Sequence, residues 1–387
     1  MNHLRTKNSA VMSARNKVDE YILESLEARS REHLLRKLPP ANSLIDFCSN
    51  DYLGFSMHPA LTKFNALNMP AGATGSRLIS GNTDAAMESE QYIAGIHGAE
   101  ASLIFNSGYM ANLGLLSGVG DRHTVFIADE LVHASLIDGM RLSLAKRVRF
   151  LHNDIHDLES KLASATEEKK FVVIESVYSM DGDLAPLTEI VALCEQYDAK
   201  LIVDEAHATG VFGRRGEGIV NMLELEKKVW ARIHTFGKAL GLHGAAVVGS
   251  KLLRDYLVNF ARPFIYTTAL PPHLYHQVRE AYVLVSDTKE RERLFENISI
   301  FKHGAEKASP AAISFKTNNS PIQSVIVPGN ENTLAFSKHL ADHGFYVKAI
   351  LSPTVSKGSE RVRICIHSFN TADQIDQLVS VIKNYFE

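Results

Sequence analysis

The chain has 387 residues, of which 45% are apolar and 22% charged, and its formal net charge is −3. This composition is ordinary for a globular protein, and the length predicts two domains or one large domain with an appendage. The slightly negative charge, without any long run of Lys and Arg, argues against a surface that binds nucleic acid.

The cysteines and the N-terminal segment bear on the cellular compartment. Cys48, Cys194 and Cys365 lie far apart and form no CxxC pair, so neither a disulfide framework nor a zinc site is expected. No apolar run reaches the roughly 20 residues that span a bilayer. The residues before Asp19 include four basic side chains, which would suit a transit peptide. Because they lack a clear apolar stripe, we favour a frayed basic terminus and a cytoplasmic protein.

The first predicted element is an N-terminal helical arm within residues 1–50. From Val18 to Leu38, apolar residues recur at roughly helical spacing, and Pro39 and Pro40 end the segment. After it, strand-like and helical patterns alternate. "TVFIAD", "FVVIES", "KLIVDE" and "GAAVVGS" predict nearly continuously apolar strands, and "DLESKLASA" and "PLTEIVALCEQY" predict helices. The alternation predicts a large α/β domain over residues 51–272 with a mostly parallel sheet.

A second, smaller domain is predicted over residues 273–387. Pro271 and Pro272 interrupt the chain before a helix-rich stretch from His273 to about Ala308. The runs "PIQSVIVPG", "FYVKAI" and "RVRICIHS" then predict strands that are mixed with helices. This order of elements is typical of an α+β domain.

Polar residues follow two of the predicted strands, at the edge where open α/β sheets bind ligands. "LIVDEAHATG" ends in Asp204 and continues to His207, and "FVVIESVYSMDGD" ends in Glu175 and reaches Ser179. Taken singly, Asp204 also suits a helix cap or a turn, and His207 also suits a loop histidine that makes ordinary hydrogen bonds.

Lys238 lies in "HTFGKALGLHGAAVVGS", among glycines, alanines and apolar residues. The segment is not a phosphate-binding P-loop, because Arg232 stands where glycine is required and Ala239 follows the lysine. A partly desolvated lysine is instead suited to form a Schiff base. An aspartate, a histidine and such a lysine together match the needs of pyridoxal phosphate, whose protonated ring nitrogen pairs with a carboxylate.

These residues lie in motifs that resemble the α-oxoamine synthases, pyridoxal-phosphate enzymes with the aspartate-aminotransferase-like fold. "VDEAHATGVFG" and "TFGKALGLHGAAV" are similar to the two central motifs of that family. Further similar segments, from about residue 20 to the C-terminus, are "FCSNDYLGFS", "TGSRLISGN", "FNSGYMAN", "DELVHAS", "SVYSMDGD", "ARPFIYTTALPP" and "PTVSKGSERVRI". The resemblance implies this fold, pyridoxal 5'-phosphate as cofactor, and a homodimer with shared active sites.

The resemblance also implies the roles of individual cofactor-binding residues. Lys238 would hold the cofactor and move protons at the substrate Cα. Asp204 would contact the pyridine nitrogen, His207 the phenolic oxygen, and His133 would stack on the ring.

Other positions match the family's phosphate contacts. Gly108 and Tyr109 open a predicted helix, whose free N–H groups and positive dipole end favour an anion. The resemblance also implies hydroxyl contacts to the cofactor from Ser179 and Thr235. It implies that Thr267 and Thr268 reach the phosphate from a neighbouring subunit.

Members of the family join an amino acid to an acyl thioester, so the resemblance implies substrate-binding residues as well. Arg363 matches the carboxylate-binding arginine, with Arg361 as the alternative, and we expect only one of this pair to point inward. Asn50 matches a further carboxylate contact. Arg36 and Thr354 match contacts to the acyl substrate, although Arg36 would also suit a solvated helix end.

The chain departs from the family pattern beside the presumed acyl pocket. Many members carry Arg-Pro-Pro-Thr-Val-Pro where this chain has Leu351-Ser352-Pro353-Thr354-Val355-Ser356. One cation and two proline rings are therefore missing, which leaves the acyl chain open.

Two other classes of function are weaker. His152 and His156 in "HNDIH" have a spacing that could bind a metal on a helix, but Asn153 and Asp154 favour a turn. A non-catalytic scaffold with the same fold is opposed by Lys238, whose loss would be the expected mark of such a protein.

Overall fold

The computed structural model describes residues 16–39, 43–66, 69–308 and 314–387. The segment considered as a transit peptide therefore lies almost entirely outside the described residues. Within the described ranges, no helix is both long and apolar enough to cross a membrane.

The described chain alternates strands and helices over most of its length. The strands are β1 (Ile45–Asp46), β2 (Ala101–Phe105), β3 (Thr124–Asp129), β4 (Lys146–Phe150), β5 (Lys169–Glu175), β6 (Lys200–Asp204), β7 (Ala231–Thr235), β8 (Ala245–Gly249), β9 (Ser314–Lys316), β10 (Ile322–Ile326), β11 (Phe345–Tyr346), β12 (Lys348–Ile350) and β13 (Arg361–Cys365). The helices are α1 (Lys17–Arg31), α2 (Pro59–Thr62), α3 (Asp84–Ile96), α4 (Gly108–Val119), α5 (Ala134–Leu142), α6 (Ile155–Ser164), α7 (Leu187–Gln196), α8 (Ile219–Met222), α9 (Lys251–Phe260), α10 (Arg262–Ile265), α11 (Pro272–Ser286), α12 (Lys289–Ala308), α13 (Asn330–Asp342) and α14 (Ala372–Phe386).

A seven-stranded sheet in the order β2-β8-β7-β6-β5-β3-β4 forms the centre of the molecule. Neighbouring strands pair in parallel along β7-β6-β5-β3-β4. Strand β8 is antiparallel to both of its neighbours, β2 and β7. All six residues of β3 are buried, as are the last five residues of β5, because helices cover both faces of such a sheet. The predicted α/β fold with a mostly parallel sheet is confirmed.

The register of this sheet gathers polar residues at its carboxyl edge. Glu175 of β5 lies opposite Asp204 of β6, and Thr235 ends β7. Helices begin close to this edge, where Ser107 caps α4 and His133 caps α5 with their side chains. The positive end of α4 and the polar strand ends therefore point to the same region.

A second sheet, antiparallel and in the order β12-β13-β10-β9, is formed by the C-terminal part of the chain. Its strand β13 is buried at all five positions, and α12 packs against α14 beside it. Ile45 and Asp46 pair in parallel with Phe345 and Tyr346, so the chain that follows the predicted arm also contributes to this region. The two boundaries between the predicted segments 1–50, 51–272 and 273–387 remain predictions.

The arm helix α1 is shorter than its apolar pattern predicts. It ends at Arg31 instead of reaching Leu38, and that part of the prediction is wrong. His33 adopts a left-handed backbone with φ of 58°, and the N–H of Leu34 bonds to the carbonyl of Arg29. A residue in this conformation ends a helix, and side-chain spacing alone does not reveal it.

Candidate active site

A cavity of about 240 Å³ lies at the carboxyl edge of the large sheet. Eight of the residues that the sequence predicts for the site line it. They are Asn50, Gly108, Tyr109, His133, Asp204, His207, Thr235 and Lys238. They come from segments that are far apart in sequence, and the parallel sheet brings them together.

Lys238 follows β7 and is half-buried against the cavity. Its Nζ lies 2.8 Å from Nε2 of His207. Burial lowers the pKa of Lys238 to about 8, although the carboxylates of Asp204 and Glu175 oppose this shift. A considerable fraction of the amine is therefore neutral near physiological pH, as a nucleophilic lysine requires.

Asp204 is 5% exposed and is held by hydrogen bonds on both carboxylate oxygens. Its Oδ2 accepts a bond of 2.7 Å from Nδ2 of Asn112, and its Oδ1 accepts one of 2.9 Å from the N–H of Ala206. Nδ2 of Asn112 also donates to Oγ of Ser135, which bonds to Nδ1 of His133. The acid and the histidine predicted to stack on the cofactor are thus fixed by one hydrogen-bond network.

His207 continues a second network that starts at Lys238. Its Nδ1 lies 2.7 Å from the hydroxyl of Tyr52, which donates to Oδ1 of Asn50 at 3.1 Å. With the Tyr52 proton directed to Asn50, Nδ1 of His207 carries the proton and Nε2 accepts from Lys238. Burial lowers the pKa of His207 well below its usual value, and the charge of Lys238 adds to this. The imidazole is therefore neutral.

Gly108 begins α4 and has no space for a side chain. A Cβ at this position would lie 2.5 Å from Cγ2 of Thr235. Helix α4 spans 12 residues and its first residues line the cavity, and the start of a helix of this length favours an anion such as phosphate. A neutral amine, a fixed carboxylate and this helix end are the three groups that pyridoxal phosphate requires of a protein.

Both arginines of β13 point inward, although the sequence predicts this for only one of them. They are two residues apart and therefore share a face of the strand, and both are buried, with exposures of 4% for Arg361 and 8% for Arg363. Nη2 of Arg363 donates to Oδ1 of Asn50 at 3.0 Å, on the side of the cavity. Arg361 instead forms an ion pair with Asp181. The expectation of a single inward arginine is wrong.

Six predicted residues are not among those that line the cavity of the single described chain. One of them, Arg363, reaches it through its bond to Asn50. Ser179 is buried in the loop after β5. Arg36 and Thr354 are exposed on segments outside the regular elements. Their predicted roles in binding the cofactor and the acyl substrate remain predictions.

The remaining two of the six are Thr267 and Thr268, which follow α10. Nδ2 of Asn106 donates to the carbonyl of Thr268 at 2.8 Å and lies 3.4 Å from Oγ1 of Thr267. Asn106 directly precedes the Ser107 cap of α4. Both threonines therefore lie close to the start of α4, although neither lines the cavity of the single chain.

Tyr52, Asn112 and Glu175 contribute to the site although the sequence does not assign them a role there. Glu175 is fully buried beside the cavity, and burial together with the negative charge of Asp204 raises its pKa to about 8. Two features of the sequence could have indicated these roles: Glu175 ends a predicted strand, and Tyr52 lies in the "NDYLG" segment, which resembles the family. The contact partners of all three residues lie in distant segments and are set by the fold.

The "HNDIH" segment forms a turn followed by a helix, as Asn153 and Asp154 predict. Asn153 has a positive φ of 55°, and Asp154 caps α6. His152 bonds to two carboxylates, those of Asp129 and Asp183. No group of three His, Cys, Asp or Glu side chains suited to a metal is found among the described residues.

The fold and the cavity define an enzyme of the fold that aminotransferases share. The family model described as aminotransferase class I and II matches residues 42–382, and the chain belongs to this family.

Within the family, the chain is similar to proteins named 8-amino-7-oxononanoate synthase, which confirms the resemblance to the α-oxoamine synthases. It is 40% identical to the one from Emericella nidulans, over 94% of this chain and 95% of that protein. It is 37% identical to the one from Exiguobacterium sibiricum, over 98% and 97%.

Solved structures of two related enzymes share the architecture. A serine palmitoyltransferase from S. paucimobilis, solved with a bound adduct of pyridoxal phosphate and myriocin, superposes with a TM-score of 0.86 at 27% identity and covers 96% of this chain and 98% of its own. The 8-amino-7-oxononanoate synthase from Francisella tularensis gives a TM-score of 0.76 at 30% identity, over 89% and 98% of the two chains.

Proposed function

We propose that this protein is a pyridoxal-phosphate-dependent C-acyltransferase that condenses L-alanine with a pimeloyl thioester. The products would be 8-amino-7-oxononanoate, CO2 and the free thiol carrier, in biotin biosynthesis. The observation that carries the proposal is one cavity that joins the Lys238 amine, the Asp204 carboxylate and the anion site of α4. The relatives that share this chain over almost its full length bear the name of that activity.

The residues present fit the cofactor. Lys238 would bind its aldehyde, Asp204 its ring nitrogen, His207 its phenolic oxygen, and the start of α4 at Gly108 its phosphate. His133, at the exposed side of the cavity, would cover the ring. When bound, pyridoxal phosphate supplies a ring that accepts the electrons of a substrate carbanion.

The chain's own groups account for substrate positioning and proton transfer. Arg363 and Asn50 would bind the carboxylate of the amino acid, because both reach the cavity side and their hydrogen bond preorganises the guanidinium. Lys238, with a pKa of about 8, would take the proton from Cα near neutral pH. The neutral His207 is bonded to Tyr52 and lies 2.8 Å from the Lys238 amine, so it would keep that amine beside the phenolic oxygen of the cofactor.

The acyl substrate is the least constrained part of the proposal. Arg36 and Thr354 are the proposed acyl contacts, and both are exposed in the single chain. Leu351, Ser352 and Ser356 replace the cation and the prolines of the family pattern. The alternative is another α-oxoamine synthase, either a 2-amino-3-ketobutyrate ligase that uses glycine and acetyl-CoA or an enzyme like serine palmitoyltransferase, whose fold is shared.

We further propose that the protein is a cytoplasmic homodimer. Thr267 and Thr268 lie close to the start of α4 without lining the cavity of their own chain, as residues that serve a partner's site would. Helix α1 buries none of its residues in the single chain, and its apolar side chains Tyr21 and Ile22 are exposed, which suits a surface covered by a second copy. All three cysteines are free thiols, as a reducing compartment favours.

The test is a substrate-pair assay on the purified protein with pyridoxal phosphate. L-alanine with pimeloyl-CoA should release CoA and give a product of the mass of 8-amino-7-oxononanoate. The Lys238→Ala variant should lack both this activity and the visible absorbance of the bound cofactor. Activity with glycine and acetyl-CoA, or with serine and palmitoyl-CoA, and none with alanine and pimeloyl-CoA would assign the protein to the alternative. A colourless wild-type protein that cannot be reconstituted would indicate a scaffold.

A further inference from the structure

The loop between β5 and α7, residues 176–186, carries two aspartates that are held from opposite sides. We call it the aspartate loop. Asp181 faces the C-terminal sheet, where it forms an ion pair with Arg361 and lies 3.6 Å from Nζ of Lys316. Asp183 faces the large sheet, where its Oδ2 bonds to Nε2 of His152 at 2.7 Å. The loop therefore connects the two sheets through charged groups.

The side of the loop towards the large sheet is anchored firmly. His152 bonds to Asp129, the last residue of β3, as well as to Asp183. Burial lowers the pKa of His152, but the hydrogen bonds to the two carboxylates outweigh it and raise the pKa to about 10. The imidazole is therefore charged at neutral pH and makes two charge-assisted bonds. Nδ2 of Asn153 adds a bond of 2.9 Å to Asp183.

The loop also fits closely against the C-terminal sheet. Nδ2 of Asn318 donates to the carbonyl of Asp181 at 2.6 Å. Gly182 has a positive φ of 73°, and a Cβ there would lie 2.3 Å from Oγ of Ser320 and 2.4 Å from the carbonyl of Ile322. Only glycine fits this conformation and this separation. The aspartate loop is thus held rigidly where Asp181 pairs with Arg361.

Arg361 and Arg363 are two residues apart on β13. A contact that holds the backbone at Arg361 therefore also limits the movement of Arg363. Arg361 is almost completely buried, and its Nε also donates to the carbonyl of Ser359 at 2.8 Å. Arg363 reaches the cavity side through Asn50. A buried ion pair contributes little net stability, because desolvation offsets the attraction, and its better attested use is to specify geometry.

We propose that Arg361 is a positioning residue for the amino-acid substrate, acting through its ion pair with Asp181. The pair fixes β13 against the aspartate loop and so places the guanidinium of Arg363 at the correct distance from Lys238 to receive the substrate carboxylate. The inference rests on the proposed function, in which Arg363 binds that carboxylate. It assigns to Arg361 a selective effect on the amino acid and none on the acyl thioester.

The experiment compares the holoenzyme with three variants, Arg361→Met, Arg361→Lys and Asp181→Asn. The readouts are the Kd for L-alanine from the change in cofactor absorbance without acyl thioester, the KM of each substrate, and the melting temperature. Arg361→Met and Asp181→Asn should weaken alanine binding about tenfold or more, since displacements of about 1 Å at such sites have effects of this order or larger. The KM for pimeloyl-CoA should change less than twofold, and Arg361→Lys should restore part of the alanine affinity.

The matched control is Lys316→Gln. Lys316 also contacts Asp181, but it is exposed and lies on β9 instead of β13, so alanine affinity should not change. If Arg361→Met does not fold, Asp181→Asn and Arg361→Lys decide the question. Unchanged alanine affinity in the folded variants, or an equal loss for both substrates, would overturn the inference and leave the proposed function intact. A wild-type protein that binds no alanine would overturn both.

Discussion

The lowered pKa of Lys238 gives a prediction that can be measured directly. The side chain has a pKa of about 8 instead of 10.5. At pH 7.5 about a quarter of the amine is then neutral, against about 0.1% for an ordinary lysine, a gain on the order of 200-fold. Burial causes the shift, and the negative charge of Asp204 limits it. Replacing Asp204 with Asn should therefore lower the pKa of Lys238 further.

The assay follows the rate at which the apoprotein captures pyridoxal phosphate, detected by visible absorbance, as a function of pH. The wild-type rate should rise with an apparent pKa near 8, and the Asp204→Asn variant should show a lower apparent pKa. Lys238→Ala provides the blank, because other lysines and free amines then account for all remaining signal. An apparent pKa near 10 in the wild type, or an upward shift in Asp204→Asn, would contradict the electrostatic reasoning.

A buried histidine, a crowded glycine and a buried ion pair give further expected outcomes. His234 is fully buried and burial lowers its pKa well below 6.5, so the unfolded state binds more protons in acid. As the pH drops below about 6.5, the free energy of unfolding should therefore decrease. Denaturant titrations should show that His234→Asn reduces the slope of this free energy against pH by up to about 1.4 kcal/mol per pH unit. Gly108→Ala should cost about 1–3 kcal/mol and weaken cofactor binding in spectral titrations, because its Cβ would meet Thr235. Glu90→Gln should destabilise the protein by about 3–5 kcal/mol in urea unfolding, because it breaks the buried bidentate pair with Arg77.

Control variants distinguish these specific effects from a non-specific loss of stability. His303→Asn, at an exposed position, should leave the pH slope unchanged. Combining Gly108→Ala with Thr235→Ser removes the methyl group that the new Cβ would meet, and should recover part of the stability. Replacing Arg77 and Glu90 together by Met and Leu should cost less than the sum of the single changes. Strict additivity of the Arg77 and Glu90 effects, or no recovery in the double variant of Gly108, would contradict the packing described.

The parts of the fold that the sequence reveals are those governed by local pattern. Apolar runs such as those of β3 and β5 could only be buried strands, and the acids that follow them had to lie at the carboxyl edge of the sheet. Asp204 and Lys238 are assigned to one site on other grounds, because they match the needs of pyridoxal phosphate and lie in motifs that resemble those of the α-oxoamine synthases. The end of α1 was missed because the left-handed backbone of His33 leaves no trace in side-chain spacing.

The contacts that the sequence does not reveal join segments that lie far apart. Tyr52 meets His207 across 155 positions, and Asn112 meets Asp204 across 92. Such pairs depend on the strand order, which a single sequence does not specify. The different partners of Arg361 and Arg363 depend likewise on the position of the aspartate loop, a tertiary feature.

The hydrogen bond between Asn50 and Arg363 closes the substrate side of the cavity across 313 positions of the chain, whereas Gly108, Asp204 and Lys238 all lie within residues 108–238. During synthesis, these three residues therefore leave the ribosome well before β13 does. The proposed amino-acid site, in contrast, needs both Asn50 and one of the last strands of the chain. Pairings of such long range also form slowly, so amino-acid recognition should be the last property to return when the denatured protein refolds.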